Sequence, residues 1–225
     1  MADYITALDN EESSRADFVK VATDSKTSKE RAFKGFLINS YDLINATLNA
    51  KAYPISPHNG SFAFIYDYEH FRIPEDITIV GVENARNFRH IQEQRYLFKD
   101  INPLFISRYP QSQHKDVISW LKTIPNRYLH FGDFDLAGIG IYLNEYKVHL
   151  QDRSQFFIPS NIQELIHQFG NRQRYNNQIQ NFDIEKIEER SLDDLLKIIE
   201  TEKKGLDQEY FIQTLKTLWF KNIAF

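Results

Sequence analysis

Between residues 77 and 158 short apolar runs alternate with longer amphipathic segments, and no other feature of this chain narrows its fold as far. Ile77 to Val82 is a β-branched run, with Pro74, Glu75 and Asp76 before it and Glu83 and Asn84 after it. A run without polar alternation is what a strand covered on both faces requires. Residues 85 to 98 carry Phe88, Ile91, Tyr96 and Leu97 at helical spacing. Leu104 to Ser107 reads as a second strand, 113 to 123 as a helix, Tyr128 to Phe131 as a third strand, 136 to 150 as a helix and Phe156 to Ile158 as a fourth strand. Strands alternating with helices of this length imply right-handed βαβ units. The expectation is therefore an α/β fold with a central parallel sheet of about four strands and helices on both faces.

The flanks read differently. Residues 1 to 28 are polar. From Lys29 to Leu48 the apolar positions recur near helical spacing, Ser28 can cap the start, and the segment reads as an amphipathic helix. Residues 51 to 60 hold Pro54, Pro57 and Asn59-Gly60 and read as a loop or turn; Ser61 to Tyr68 alternates and reads as a strand. After Ser160 come helical segments over 161 to 169, 183 to 200 and 206 to 220, with a Gln/Asn-rich stretch at 171 to 181. This divides the chain into an N-terminal extension (1–74), a central α/β unit (75–160) and a C-terminal helical extension (161–225).

Three acids stand at equivalent places in the repeating part. Glu83 directly follows the first of these strands, and Asp133 and Asp135 directly follow the third. Side chains at i and i+2 of an extended chain share a face, and open α/β sheets bind ligands beyond the carboxyl ends of their strands. If the two strands are neighbours, three carboxylates meet at one edge. A hard divalent cation, Mg²⁺ or Mn²⁺, is the usual partner of such a set. Asp-x-Asp after a strand also serves as an ordinary turn or helix cap.

The two motifs together, IVGVEN and HFGDFDLAGIGIYL, resemble the Toprim domain. That fold is shared by type IA and type II topoisomerases, bacterial primases, OLD-family nucleases and the small ribonuclease that matures 5S rRNA. Within it the segment GDFDLAGIGIYLNEYK is most similar to the topoisomerase VI A subunit, to meiotic double-strand-break proteins and to the JetD-like nuclease subunit of Wadjet plasmid-defence systems. The resemblance covers roughly residues 75 to 160. It implies Glu83 as metal ligand or general acid/base, Asp133 and Asp135 as the metal-binding pair, Mg²⁺ or Mn²⁺ as cofactor, and phosphodiester cleavage of DNA in preference to RNA. It also implies a protein partner or a homodimer, within a DNA-processing or anti-plasmid or anti-phage defence assembly. Two departures count against a topoisomerase. The stretch ahead of the sheet is short for a winged helix bearing a nucleophilic tyrosine, leaving Tyr41 as the candidate, with packing the stronger reading. The turn Ser107 to Ser112 lacks the glycine usual in topoisomerase VI relatives.

Arg108, Lys147, Arg172 and Arg174 are candidates for phosphate contacts. His130 reads as a packing residue, and the histidines show no zinc-binding spacing. The net charge of -4 argues against a free-standing nucleic-acid binder, so either charge is segregated on the surface or a partner supplies grip. There is no cysteine, which excludes a disulfide scaffold and a thiolate nucleophile. No signal peptide or membrane span is read, so a cytoplasmic location is expected. Two other functions fit the same residues. One is a non-catalytic Toprim-fold scaffold or nucleic-acid-binding subunit; the other is a phosphotransfer or phosphatase domain with an aspartate nucleophile.

Overall fold

The structure, a computed structural model, describes residues 34–56, 58, 60–182 and 187–212. The readings for residues 1 to 33, the start of the 183 to 200 helix and residues 213 to 220 lie outside them.

Among the described residues nine strands form two sheets. The larger has six strands in the order β4-β1-β7-β6-β8-β9. Its strands are β1 (Phe36–Ser40), β4 (Ala63–Ile65), β6 (Thr78–Val82), β7 (Pro103–Ser107), β8 (Tyr128–Phe131) and β9 (Ser154–Phe156). The strands β7, β6, β8 and β9 are mutually parallel, so the parallel part has the four strands expected. The sheet is mixed, because β1 pairs antiparallel with β7 and β4 antiparallel with β1. It therefore draws two strands from before residue 75. Every residue of β7 is buried, as are Ile79 to Val82 of β6, as continuous apolar runs demand.

Helices lie on both sides: α1 (Ala85–Arg89), α2 (His114–Leu121), α3 (Leu136–Ile141), α4 (Val148–Leu150), α5 (Ile162–Phe169), α6 (Arg172–Gln178) and α7 (Arg190–Glu202). The segment 136 to 150 is helical as expected, but a π-helical stretch, Tyr142–Lys147, joins α3 to α4. The helix read over 85 to 98 breaks at His90 into α1 and a 3₁₀ stretch, Ile91–Leu97. The buried Gln94 side chain donates to the carbonyls of Asn87 and His90, which ties the two pieces together across the break. Among the described residues no helix is long and apolar enough to cross a membrane.

The N-terminal reading is corrected. The described part of the stretch read as an amphipathic helix (29 to 48) is β1 and β2 (Ile44–Leu48), and the stretch read as a loop contains β3 (Lys51–Ile55). With β5 (Phe71–Arg72) these last two form a small antiparallel sheet, β3-β2-β5. Ile44 and Ala46 are buried and Asn45 and Thr47 exposed, a period of two that short strands hide among neighbouring apolar residues. Pro54 is tolerated because β3 is an edge strand. Trp120 fills the space between the two sheets, stacked on Phe71 at 5.3 Å and 5.2 Å from Phe36, with its indole N–H donating to the Phe71 carbonyl.

The β2–β3 hairpin turns on Asn49 and Ala50, both left-handed with φ of 52° and 59°. A two-residue turn with both angles positive favours Asn-Gly, and alanine there strains its Cβ. Replacing Ala50 by glycine should stabilise the protein by about 0.5–1 kcal/mol, read as a raised midpoint of urea unfolding.

Candidate functional site

The strands β6 and β8 are neighbours, with Val82 opposite Phe131. The Glu83 N–H extends that ladder by donating to the Phe131 carbonyl at 3.0 Å. All three predicted acids therefore sit at one carboxyl edge of the sheet. Their side chains divide into two groups.

Glu83 faces His130. Its Oε2 lies 3.4 Å from the His130 Nε2, and both atoms are buried with no hydrogen-bond partner among the described residues. Gly132 makes the room, since a Cβ there would come within 2.5 Å of the Glu83 Oε2 and 2.8 Å of the His130 Nε2. The His130 Nδ1 is 3.1 Å from the Tyr128 hydroxyl. With Nδ1 accepting from Tyr128, it is an Nε2 N–H that points at Glu83. The imidazole packs among Tyr142, Tyr146 and Phe156. His130 is thus a core residue, as read, but one that touches a site acid.

Asp133 and Asp135 meet on Arg174 of α6. The Arg174 Nη1 donates to the Asp133 Oδ2 at 2.7 Å and to the Asp135 Oδ2 at 2.8 Å, and its Nη2 donates to the Asp207 Oδ2. Asp135 also caps α3, with its Oδ1 accepting from the Gly138 N–H at 2.8 Å, and Gln178 donates to its Oδ2. The Asp133 Oδ1 accepts the Gln208 N–H at 2.8 Å. Burial pushes the Asp133 carboxyl up to about 6; the Gln208 N–H opposes this, the charges of Asp135 and Asp207 add to it, and Arg174 opposes it. Burial alone would lower Arg174, but its hydrogen bond to Asp135 and the charges of Asp133, Asp135 and Asp207 hold it above its ordinary value. Arg174 is thus held charged, whereas burial shifts Asp133 toward its neutral form.

The sequence reading missed what holds this edge together. Residues Gly205 and Leu206 run antiparallel to Asn171 and Phe134 through two isolated bridges. Gly205 lies against Asp135, where a Cβ would come within 2.6 Å of the Asp135 Cβ. Gln208 is fully buried; its side chain accepts from the Asn84 N–H and donates to the Phe131 carbonyl, so it spans the ends of β6 and β8. The expected apolar helix from 206 obscured these residues. Lys203-Lys204-Gly205, a helix stop, followed by Asp207 as a new cap, was the available signal.

The basic candidates scatter. Arg108 adjoins the acid edge, its N–H bonded to the Val82 carbonyl, but its guanidinium grips Glu145 in two hydrogen bonds of 2.9 and 2.7 Å. Against the burial that would raise it, Arg108 holds the Glu145 carboxyl below its usual range. Glu145 is thus paired and half-buried. Lys147 bonds the Ser154 carbonyl at the opposite, amino end of the sheet. Arg172 is exposed at the start of α6. Tyr41 is buried, its hydroxyl donating to the Ile91 carbonyl, as a packing residue would.

A cavity of about 450 Å³ opens near Lys147, lined by Thr78, Arg127 and Glu189 among others. It lies at the amino ends of the strands, where sheets of this class do not carry their chemistry. A smaller one of about 280 Å³, lined by Ala137, Gly140, Asn144, Gln178 and Phe182 among others, adjoins Asp135.

A divalent ion needs carboxylate oxygens converging on a free point. Asp133 and Asp135 do converge, but the Arg174 guanidinium stands at that point and Glu83 turns to His130. Among the described residues no three His, Cys, Asp or Glu side chains are grouped to hold a metal. With Arg174 seated, the residues do not fit the ion that the Toprim resemblance implies.

Residues 37–219 match the profile of a family described as Domain of unknown function (DUF7281). Among curated proteins none matches the chain.

Proposed function

The chain belongs to the DUF7281 family, and we propose that it is a Toprim-like nuclease that hydrolyses DNA phosphodiester bonds, with Mg²⁺ or Mn²⁺ as cofactor. The observation that carries this reading is the pairing of β6 with β8, which brings Glu83 to the same sheet edge as Asp133 and Asp135. Glu83 is its candidate general base, since its carboxylate stands at that edge with Oε2 3.4 Å from the His130 Nε2. The seating of Arg174 between the aspartates requires that the guanidinium move before an ion is held there. The net charge of -4 supports a partner subunit that supplies grip on DNA, within a larger DNA-processing or defence assembly.

The second reading is a non-catalytic scaffold. Its support is that Arg174 bridges Asp133 and Asp135, while Asp135 caps α3. The two readings separate in one assay. Purified protein at micromolar concentration is incubated with supercoiled plasmid in 10 mM MgCl₂ or MnCl₂. The nuclease reading predicts nicked or linear product that EDTA abolishes. Intact plasmid with either metal favours the scaffold, and cleavage that persists in EDTA contradicts a metal-dependent nuclease.

A further inference from the structure

We propose that the smaller cavity, beside Asp135, is a pocket for one unpaired nucleobase, so that the nucleic acid taken at this sheet edge is a single strand or a locally opened duplex. The proposal rests on the nuclease reading above for its class of substrate and deepens it by naming the form of the DNA; recognition in the pocket itself needs no ion.

The cavity, about 280 Å³, is formed by α3, the π-helical stretch and the end of α6. That is near the lower bound of about 300 Å³ for small-molecule sites. Among the described residues its wall carries four carboxamides, Asn144, Asn177, Gln178 and Asn181, one aromatic ring, Phe182, and no charged side chain. The side chains of Asn144, Asn177 and Asn181 make no hydrogen bond among the described residues. A carboxamide offers a donor and an acceptor in one plane, which matches the edge of a base, and an aromatic face stacks on its ring. A pocket built for phosphate would present arginine or lysine instead. The floor is open, since a Cβ on Gly140 would meet nothing within 4 Å.

Gln178 fastens the pocket to the acid edge. Its Oε1 accepts the Ala137 N–H at 3.3 Å, and its Nε2 donates to the Asp135 Oδ2 at 2.9 Å. A base in the pocket is therefore one side chain away from the Asp-x-Asp motif. In a duplex the base edges are engaged by the opposite strand and the ring faces by stacking, so a base enters only from a single strand or after flipping out. Asn144 stands on the π-helical stretch, a local geometry that recurs at functional sites. Asn144 and Asn177 are both exposed, so either can be replaced without unpacking the core.

The test is saturation-transfer NMR of the full chain in EDTA with adenosine, guanosine, cytidine or thymidine, and with deoxyribose as control. At least one nucleoside should bind at millimolar concentration, its base protons receiving most of the saturation, while deoxyribose does not bind. A variant carrying both Asn144→Ala and Asn177→Ala should bind that nucleoside at least tenfold more weakly. Phe182→Ala should lose about tenfold or more, the scale of one lost base stack. A single-stranded oligonucleotide should displace the nucleoside, and the same sequence as a blunt duplex should not. No nucleoside bound by wild type, deoxyribose bound as well as a nucleoside, equal affinity in the double variant, or equal displacement by duplex each overturns the proposal. Plasmid cleavage that needs the metal, seen together with any of these results, leaves the nuclease reading standing without the base pocket.

Discussion

Gln208→Leu should lower the unfolding free energy by about 3 kcal/mol, with a matching fall in midpoint temperature of about 6–12 °C. The side chain is fully buried and bonds two backbone groups from different strands' ends, the Asn84 N–H at 3.0 Å and the Phe131 carbonyl at 2.9 Å. Leucine fills much the same volume but leaves both without their side-chain partner. Each unsatisfied buried backbone group costs about 1–3 kcal/mol, and the Asn87 and Gln94 amide cluster beside it loses its register, because Asn87 donates to the Gln208 carbonyl. Urea unfolding followed by circular dichroism measures the change. A loss below about 0.5 kcal/mol, the scale of ordinary surface substitutions, would mean that the 205–209 segment does not clamp the two strands.

Glu83→Gln and Asp133→Asn should each reduce plasmid cleavage by about 10²-fold or more while leaving the fold intact. Removing a general base costs about 10²–10⁴ in rate, and glutamine cannot accept a proton at neutral pH. Asparagine at 133 keeps an oxygen for the Gln208 N–H but loses the charge facing Arg174 and any ion that replaces it. Both substitutions conserve shape, so thermal melts should remain close to wild type and lost cleavage is read as lost chemistry. Cleavage within threefold of wild type in both variants would remove these acids from the reaction.

The parallel core was legible because β6, β7 and β8 are covered on both faces and therefore written as unbroken apolar runs. The placement of Glu83 beside the Asp-x-Asp followed from where those runs end. The antiparallel half was not legible. Phe36 to Leu48 contains two short strands whose buried positions, superimposed, imitate a helical spacing. Asn49-Ala50 also turns the hairpin without the glycine that would have flagged it. Arg174 was legible as a basic residue of interest, but not as a partner of the aspartates, because that contact depends on a bridge between Asn171 and Gly205. Asp207 and Gln208 reach the site only through tertiary packing, and the helix expected from 206 hid them. The π-helical stretch that aligns Tyr146 with Tyr128, stacked at 4.9 Å, has no pattern of its own either.

The pairing of Asp133 with Asp135 at the edge beside Glu83 is what makes this surface a candidate for ion-dependent chemistry, and a crystal soaked in MnCl₂ tests it most directly. The account predicts an anomalous peak at the sheet edge that carries Glu83, Asp133 and Asp135. A peak elsewhere, or an Asp-x-Asp still bridged by Arg174 at saturating Mn²⁺, would contradict it.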